Sequence, residues 1–281
     1  MFKRHLQYAL KDNKIVHVSE VEKGLECGCI CPACKSKLIA KKGNKVIHHF
    51  AHYNADECEH GYETALHLAA KEILFNAKKM VIPPLFLKFP YSRRSEIKIV
   101  DAQTIIIDKV ELEKIYNDII PDIVVYSCNS KFFVEIYVTN RVDEIKLEKI
   151  KKAKVSVLEI DLSKIDRDIS HEELKNYLLK LCKEKYWLYN VNIEKWEQKF
   201  RHFVDRKPIV KIGFGEYVNN CPFSSKYYMG NAYANLSKEC LYCDYFIGIE
   251  GGYVLCNGAV KISTKEDYKK YIRKNIKKEN N

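Results

Sequence analysis

Eleven cysteines fall mostly into two clusters far apart in the chain, and this spacing constrains the fold more than any other feature. Cys27, Cys29, Cys31, Cys34 and Cys58 lie early; Cys221, Cys240, Cys243 and Cys256 lie late; Cys128 and Cys182 stand alone. The opening residues, MFKRHLQYALKDNK, lack the apolar core of a secretory signal, and no apolar run approaches the roughly 20 residues of a membrane span. The expectation is therefore a cytoplasmic protein without a membrane partner. In a reducing compartment clustered thiols read as metal ligands rather than as a disulfide framework.

Cys31-Pro-Ala-Cys34 is a C-x2-C knuckle, followed by His49, His52 and Cys58 after a lysine-rich hairpin, KLIAKKGNKVI. Either three thiolates and one imidazole or two of each complete a tetrahedral zinc site. Cys27, Cys29, His48 and His60 are also near, as further candidates or as ordinary side chains. Cys240-Leu-Tyr-Cys243 is a second knuckle, and with Cys221 and Cys256 it makes a four-thiolate set for a structural zinc. Two structural Zn2+ ions are thus expected, each contributing to folding.

Between the clusters the periodicity is that of an α/β domain. ETALHLAAKEILFNAKK has helix formers and apolar residues at helical spacing from Glu63 to Lys79, with Pro83-Pro84 beyond it. Strand-like stretches follow at Leu85 to Phe89, Glu96 to Val100 and Thr104 to Ile107, then a polar helical turn near Glu111 to Asn117. Asp122 to Tyr126 and Phe132 to Val138 read as a hairpin around SCNS. VDEIKLEKIKKA reads as a helix and VSVLEIDLS as a strand, so the latter should lie parallel in the same sheet. The core order is α-β-β-β-α-β. A helix capped by Ser170 and Glu173 should run towards Tyr189, a second should cover Ile193 to Phe203, and the chain should end in a lysine-rich helical tail, DYKKYIRKNIKK. The expected division is a zinc-binding element over 1–60, the core over 61–165, a helical linker over 166–205, and a zinc ribbon with a basic tail over 206–281.

The chemistry-bearing residues lie in that core. If Tyr126 faces Lys131 across the hairpin, Asp122 stands opposite Glu135 with Cβ atoms about 5 Å apart, close enough to share one Mg2+ or Mn2+ ion. A loop one residue different would put the two acids on opposite faces. A shared cation explains two acids in otherwise apolar strands, where an unpaired carboxylate costs several kcal/mol. Glu63, His67 and Lys71, spaced i, i+4, i+8, share one side of the first helix. Glu63 is a candidate third metal ligand, and Lys71 or His67 a candidate contact to a scissile phosphate or water. The balance of 48 Lys+Arg against 37 Asp+Glu, net +11, suits a phosphate backbone.

CPAC, HHFAH, ETALHLAAK, PDIVV and VEIYVTNRVDEIK, in that order, resemble the CoiA-like competence proteins, a group of predicted nucleases, over roughly residues 1 to 165. The resemblance implies an N-terminal zinc-ribbon-like element, a PD-(D/E)xK core of the restriction-endonuclease type, and a role in DNA processing. It implies Asp122 and Glu135 as ligands of the catalytic metal and Glu63 as the helix acid. The motif's lysine, two residues after the glutamate, is replaced by Tyr137; Lys146 on the neighbouring helix, or Lys71, is the candidate substitute. The expected activity is Mg2+- or Mn2+-dependent hydrolysis of DNA phosphodiesters, in DNA processing or anti-phage defence, with RNA also open as substrate. Two alternatives stand beside it: a nucleic-acid-binding module with a degenerate core, and a zinc-organised adaptor in a DNA-uptake or defence complex, with a protein partner or a second copy.

Overall fold

The computed structural model describes residues 5–56, 58–88, 96–166, 168–201, 204–261, 266–267 and 270. It is a mixed α/β structure with several small sheets, and four helices are assigned among the described residues: α1 (Gly61–Phe75), α2 (Glu144–Lys152), α3 (His171–Leu179) and α4 (Val191–Arg201). No described helix is long and apolar enough to cross a membrane. The chain divides into two compact units, one of residues 1–83 and 102–190, the other of residues 84–101 and 191–281. The lysine-rich tail lies largely outside the described residues.

The first unit is organised on a five-stranded sheet, whose strands are labelled β1 (Lys109–Leu112), β2 (Ile123–Ser127), β3 (Ser130–Tyr137), β4 (Ser156–Asp161) and β5 (Lys185–Tyr189). They lie in the order β5-β4-β3-β2-β1. β1, β2 and β3 form an antiparallel meander, and α2 carries the chain back so that β4 runs parallel to β3, as a strand-helix-strand crossover requires. The Asp143 side chain caps α2 by accepting from Lys146 N–H at 2.7 Å, and Ser170 with Glu173 forms the capping box of α3, satisfying first-turn donors that otherwise have no partner. Ile123, Val125, Val134, Leu158 and Ile160 join Leu66, Ala70 and Leu74 of α1 and Leu38 and Phe50 near the N-terminus in one buried cluster.

Three elements depart from the sequence reading. α1 ends at Phe75, where Asn76 N–H bonds back to Glu72; Lys79–Ile82 is instead a strand pairing with Gln103–Ile106. The expected helical turn at Glu111 lies partly in β1, because Val110 and Glu111 pair with Val125 and Val124. The helix expected to reach Tyr189 stops at Leu179, and Lys185–Tyr189 becomes the antiparallel partner of β4. Glu184 takes a left-handed φ of 60° there, and the aromatic run that follows fits a pleated, half-buried edge. Each time, pairing with a strand distant in sequence overrides a local helical pattern.

The second unit contains the hairpin Leu85–Lys88/Glu96–Val100, α4, and a six-stranded antiparallel sheet in the spatial order Tyr227–Tyr228, Asn231–Asn235, Gly215–Asn219, Asp205–Ile212, Tyr253–Cys256, Phe246–Glu250. Its core is small, with Val218, Ala234, Leu236, Cys240, Phe246 and Val254 buried together.

Candidate metal centre and carboxylate pocket

Near the N-terminus, Cys31, Cys34, His52 and Cys58 bring one ligand atom each to within 4.8 Å of one another. Cys34 Sγ is 3.2 Å from His52 Nε2 and Cys31 Sγ is 3.7 Å from Cys58 Sγ. The knuckle turn closes through Lys35 N–H to Cys31 C=O at 3.0 Å, and Lys35 takes a left-handed φ of 62°. Three thiolates and one imidazole are a soft donor set that fits Zn2+. Burial opposes ionisation of Cys34, but bonds from Ser36, Cys31 and His52 outweigh it and bring this thiol down to about 6, which favours a thiolate ligand.

His49 does not join the cluster. It lies three residues before His52 on one strand, so alternation sends the two side chains to opposite faces; its Nδ1 bonds Ile47 C=O at 2.8 Å and its ring packs on His5. Cys27 and Cys29 also stand apart, donating to the carbonyls of Leu38 and Cys27 at 3.3 Å each. His48 and His60 are exposed.

The second constellation lines a cavity of about 500 Å3, walled by Glu63, His67, Asp122, Glu135, Tyr137, Arg141, Lys146 and Glu159 among others. The β2–β3 turn consists of Cys128 and Asn129, both with positive φ (48° and 60°), the geometry that matches the twist of a tight hairpin. It sets Ser127 opposite Ser130 and Ile123 opposite Val134, and one step further in this register Asp122 comes across from Glu135. Asp122 Oδ2 accepts from the N–H of Ile136 on β3 at 2.9 Å.

Two residues of α1 meet Asp122. His67 Nε2 donates to Oδ2 at 3.0 Å, and Lys71 Nζ lies 2.9 Å from Oδ1. Lys71 is itself buried and also bonds Glu113 Oε1 at 2.7 Å. Burial penalises ionisation at Asp122, yet the His67 bond and charge, the Ile136 N–H and Lys71 together hold its carboxyl well below the usual range. Glu63, at the start of α1, accepts from the Thr139 hydroxyl and lies 3.8 Å from His60 Nδ1.

Glu135 behaves oppositely. Only 5% exposed, it is pushed up to about 7 by burial, which Lys146 counteracts and the Asp122 charge reinforces. Lys146 Nζ, reaching over from α2, is 2.8 Å from both carboxylate oxygens; the bond to Oε2 is well directed, while Oε1 is buried without a directed hydrogen bond. Tyr137, two residues after Glu135, is covered by the Arg141 guanidinium 4.7 Å from its ring centroid.

Sequence reasoning passed over two members of this pocket. Glu159, buried on β4, pairs in register with Glu135, and burial raises its carboxyl against the opposing charge of Arg141. Its signal was an acid inside the apolar run VSVLEIDLS, the same signal that had singled out Glu135. Arg141, exposed in the loop before α2, approaches Glu159 at 3.9 Å and Asp161 at 3.5 Å.

The four late cysteines line a different cavity, in the second unit.

Residues 12–61 match the family model of the competence protein CoiA, N-terminal domain. The matched segment holds all four residues of the Cys/His cluster and stops at the first residue of α1; the carboxylate pocket lies mostly outside it. No curated protein and no solved structure matches the chain.

Proposed function

Since the chain belongs, through its N-terminal domain, to the CoiA-like competence proteins, we propose that it is a metal-dependent nuclease of the PD-(D/E)xK type that cuts DNA in a competence-related process. The observation that carries this reading is the convergence of His67 and Lys71 from α1 and Lys146 from α2 on the facing acids Asp122 and Glu135. Once the four strands between α1 and β1 (Lys79–Ile82, Leu85–Lys88, Glu96–Val100 and Gln103–Ile106) are set aside as an insertion, the order of α1, β1–β3, α2 and β4 suits the restriction-endonuclease core that such nucleases use.

Asp122 and Glu135 are hard oxygen donors of the kind that suits Mg2+ or Mn2+; a cation between them would share Glu135 with the Lys146 ammonium, which already lies 2.8 Å from Oε1 without a directed hydrogen bond to it. Held by Asp122 and Glu135, such an ion would lower the pKa of bound water and offset charge on the phosphate. Lys146 takes the place left by Tyr137, its ammonium beside Glu135, where it can stabilise the charge that grows on the scissile phosphate. Lys71 and His67 fix the Asp122 carboxylate in one orientation and keep it ionised. Glu63 and Glu159 bound the cavity and fit roles in holding the ion or its water. The excess of 11 positive charges favours the polyanionic substrate. The Cys31/Cys34/His52/Cys58 cluster has no ligand position left open and serves as a structural zinc site.

The test is cleavage of labelled single- and double-stranded DNA with Mg2+ or Mn2+, comparing the parent with Asp122→Ala and Glu135→Ala at equal zinc content. Metal-dependent cutting lost in both variants supports the nuclease. Tyr137 favours a second reading, a DNA-binding domain that has lost catalysis; binding that ignores divalent metal, with no cutting on any substrate, selects it.

A further inference from the structure

The second unit carries four thiols on three separate segments that line one cavity, less closely drawn together than the four ligand atoms of the N-terminal cluster. Cys221 follows the strand Gly215–Asn219, Cys240 and Cys243 bracket a tight turn closed by Cys243 N–H to Cys240 C=O at 3.0 Å, and Cys256 ends the strand Tyr253–Cys256. All four line one cavity of about 140 Å3, and none is in a disulfide.

The loops are tied to one another pairwise. Phe223 stacks on Tyr245, centroids 4.9 Å apart and planes within 16°, joining the Cys221 loop to the knuckle. Asn257 N–H bonds Tyr245 C=O at 2.9 Å, joining the Cys256 loop to the knuckle. Gly258 lies so close to the Cys221 loop that a Cβ on it would stand 3.0 Å from Pro222 Cγ, 2.8 Å from the Phe223 ring and 3.1 Å from Cys256 Sγ. Gly258 N–H also points at Cys256 Sγ, 3.2 Å away, the kind of main-chain donor that stabilises a thiolate.

A buried cysteine is ordinarily a small hydrophobe, and Cys27 and Cys29 in the first unit fit that description, each satisfied by a carbonyl. Four cysteines facing one cavity between three cross-tied loops do not. The apolar core beside them is also slight, of the kind that small domains supplement with a metal.

We propose that Cys221, Cys240, Cys243 and Cys256 bind one Zn2+ as a tetrathiolate, a second metal site that fixes the three loops of the C-terminal unit. Tetrahedral sulfur ligation suits zinc, and four protein ligands leave no position for substrate. The site is independent of the nuclease reading and of the N-terminal cluster.

Metal analysis of the full-length chain, purified without chelator, tests it. The parent should carry about two zinc per chain, and Cys240→Ser/Cys243→Ser and Cys31→Ser/Cys34→Ser about one each. Cys256→His, which keeps a ligand, should hold the zinc that Cys256→Ser loses. Should the serine variants fail to fold, alkylation of the folded parent decides, read peptide by peptide against the exposed Cys128. Cys221, Cys240, Cys243 and Cys256 should resist iodoacetamide together and become reactive together as a chelator removes zinc. A Cys240→Ser/Cys243→Ser variant with the parent's zinc count, iron in place of zinc, or alkylation of the four unaffected by chelator would overturn the proposal.

Discussion

Lys146 Nζ stands 2.8 Å from both oxygens of Glu135, so an ammonium carried by α2 meets the carboxylate that β3 presents. The pair joins α2 to the centre of the sheet at a point where the carboxylate is almost wholly buried.

Under the proposed function, Lys146→Met should lower DNA cleavage by roughly 100-fold or more, the scale for losing one charge stabiliser of a transition state. DNA affinity should change by less than about threefold, since one charge of many is lost. Lys146→Arg should recover part of the rate. Single-turnover cleavage and a binding titration at one salt concentration separate these outcomes; equal losses in both would assign Lys146 to binding instead.

Gly61 opens α1 against the metal cluster, and a Cβ there would lie 3.0 Å from Cys58 Sγ and 3.4 Å from Cys31 Sγ. Alanine normally stabilises a helix relative to glycine by roughly 0.5–1 kcal/mol. Gly61→Ala should nevertheless weaken zinc retention by about tenfold or more, measured by competition with a chromogenic chelator. Unchanged retention would mean that the cluster yields freely to the methyl group.

Cys27→Ala and Cys29→Ala should leave the zinc count of the chain unaltered, because these thiols bond carbonyls rather than face the cluster. Cys58→Ala should lower it by about one. Metal analysis of the three variants side by side checks the ligand set.

Lys185 is buried at the edge of the sheet, where its ammonium donates to Val81 C=O at 2.7 Å and burial brings its pKa down to about 8. The folded pKa thus lies below the unfolded one, near 10.4. The penalty for the charged form is complete below pH 8, fades as pH rises from 8 towards 10.4, and is on the order of 3 kcal/mol. Stability of the parent relative to Lys185→Met should therefore increase with pH over that window, measured by urea unfolding. A difference that stays flat between pH 8 and 10 would contradict the burial effect.

The sequence made legible what depends on short-range spacing. Asp122 and Glu135 could be placed opposite one another on the condition that Tyr126 faces Lys131, which the two-residue turn of Cys128 and Asn129 meets, and His67 and Lys71 together because a helix brings residues four apart to one side. Long-range pairing was not legible: nothing within KYWLY announces that β4 will accept it as a strand, and nothing in KVEL announces β2. Glu159 was passed over although β4 was expected to run parallel in the same sheet, because the crossover does not fix the register that sets it beside Glu135. His49 stayed open as an alternative for a simpler reason, since the alternation that separates it from His52 matters only once His49–His52 is known to be a strand.

One helix touches both centres of the first unit: α1 begins at Gly61 against Cys31 and Cys58, and ten residues on it presents Lys71 to Asp122. At 1.5 Å per residue that is a lever about 15 Å long, so tilting its base by about 4° moves its far end by roughly 1 Å. The Cys31/Cys34/His52/Cys58 cluster is in this sense an alignment mount, and the tolerance with which it seats the helix sets the accuracy with which the ammonium meets its carboxylate.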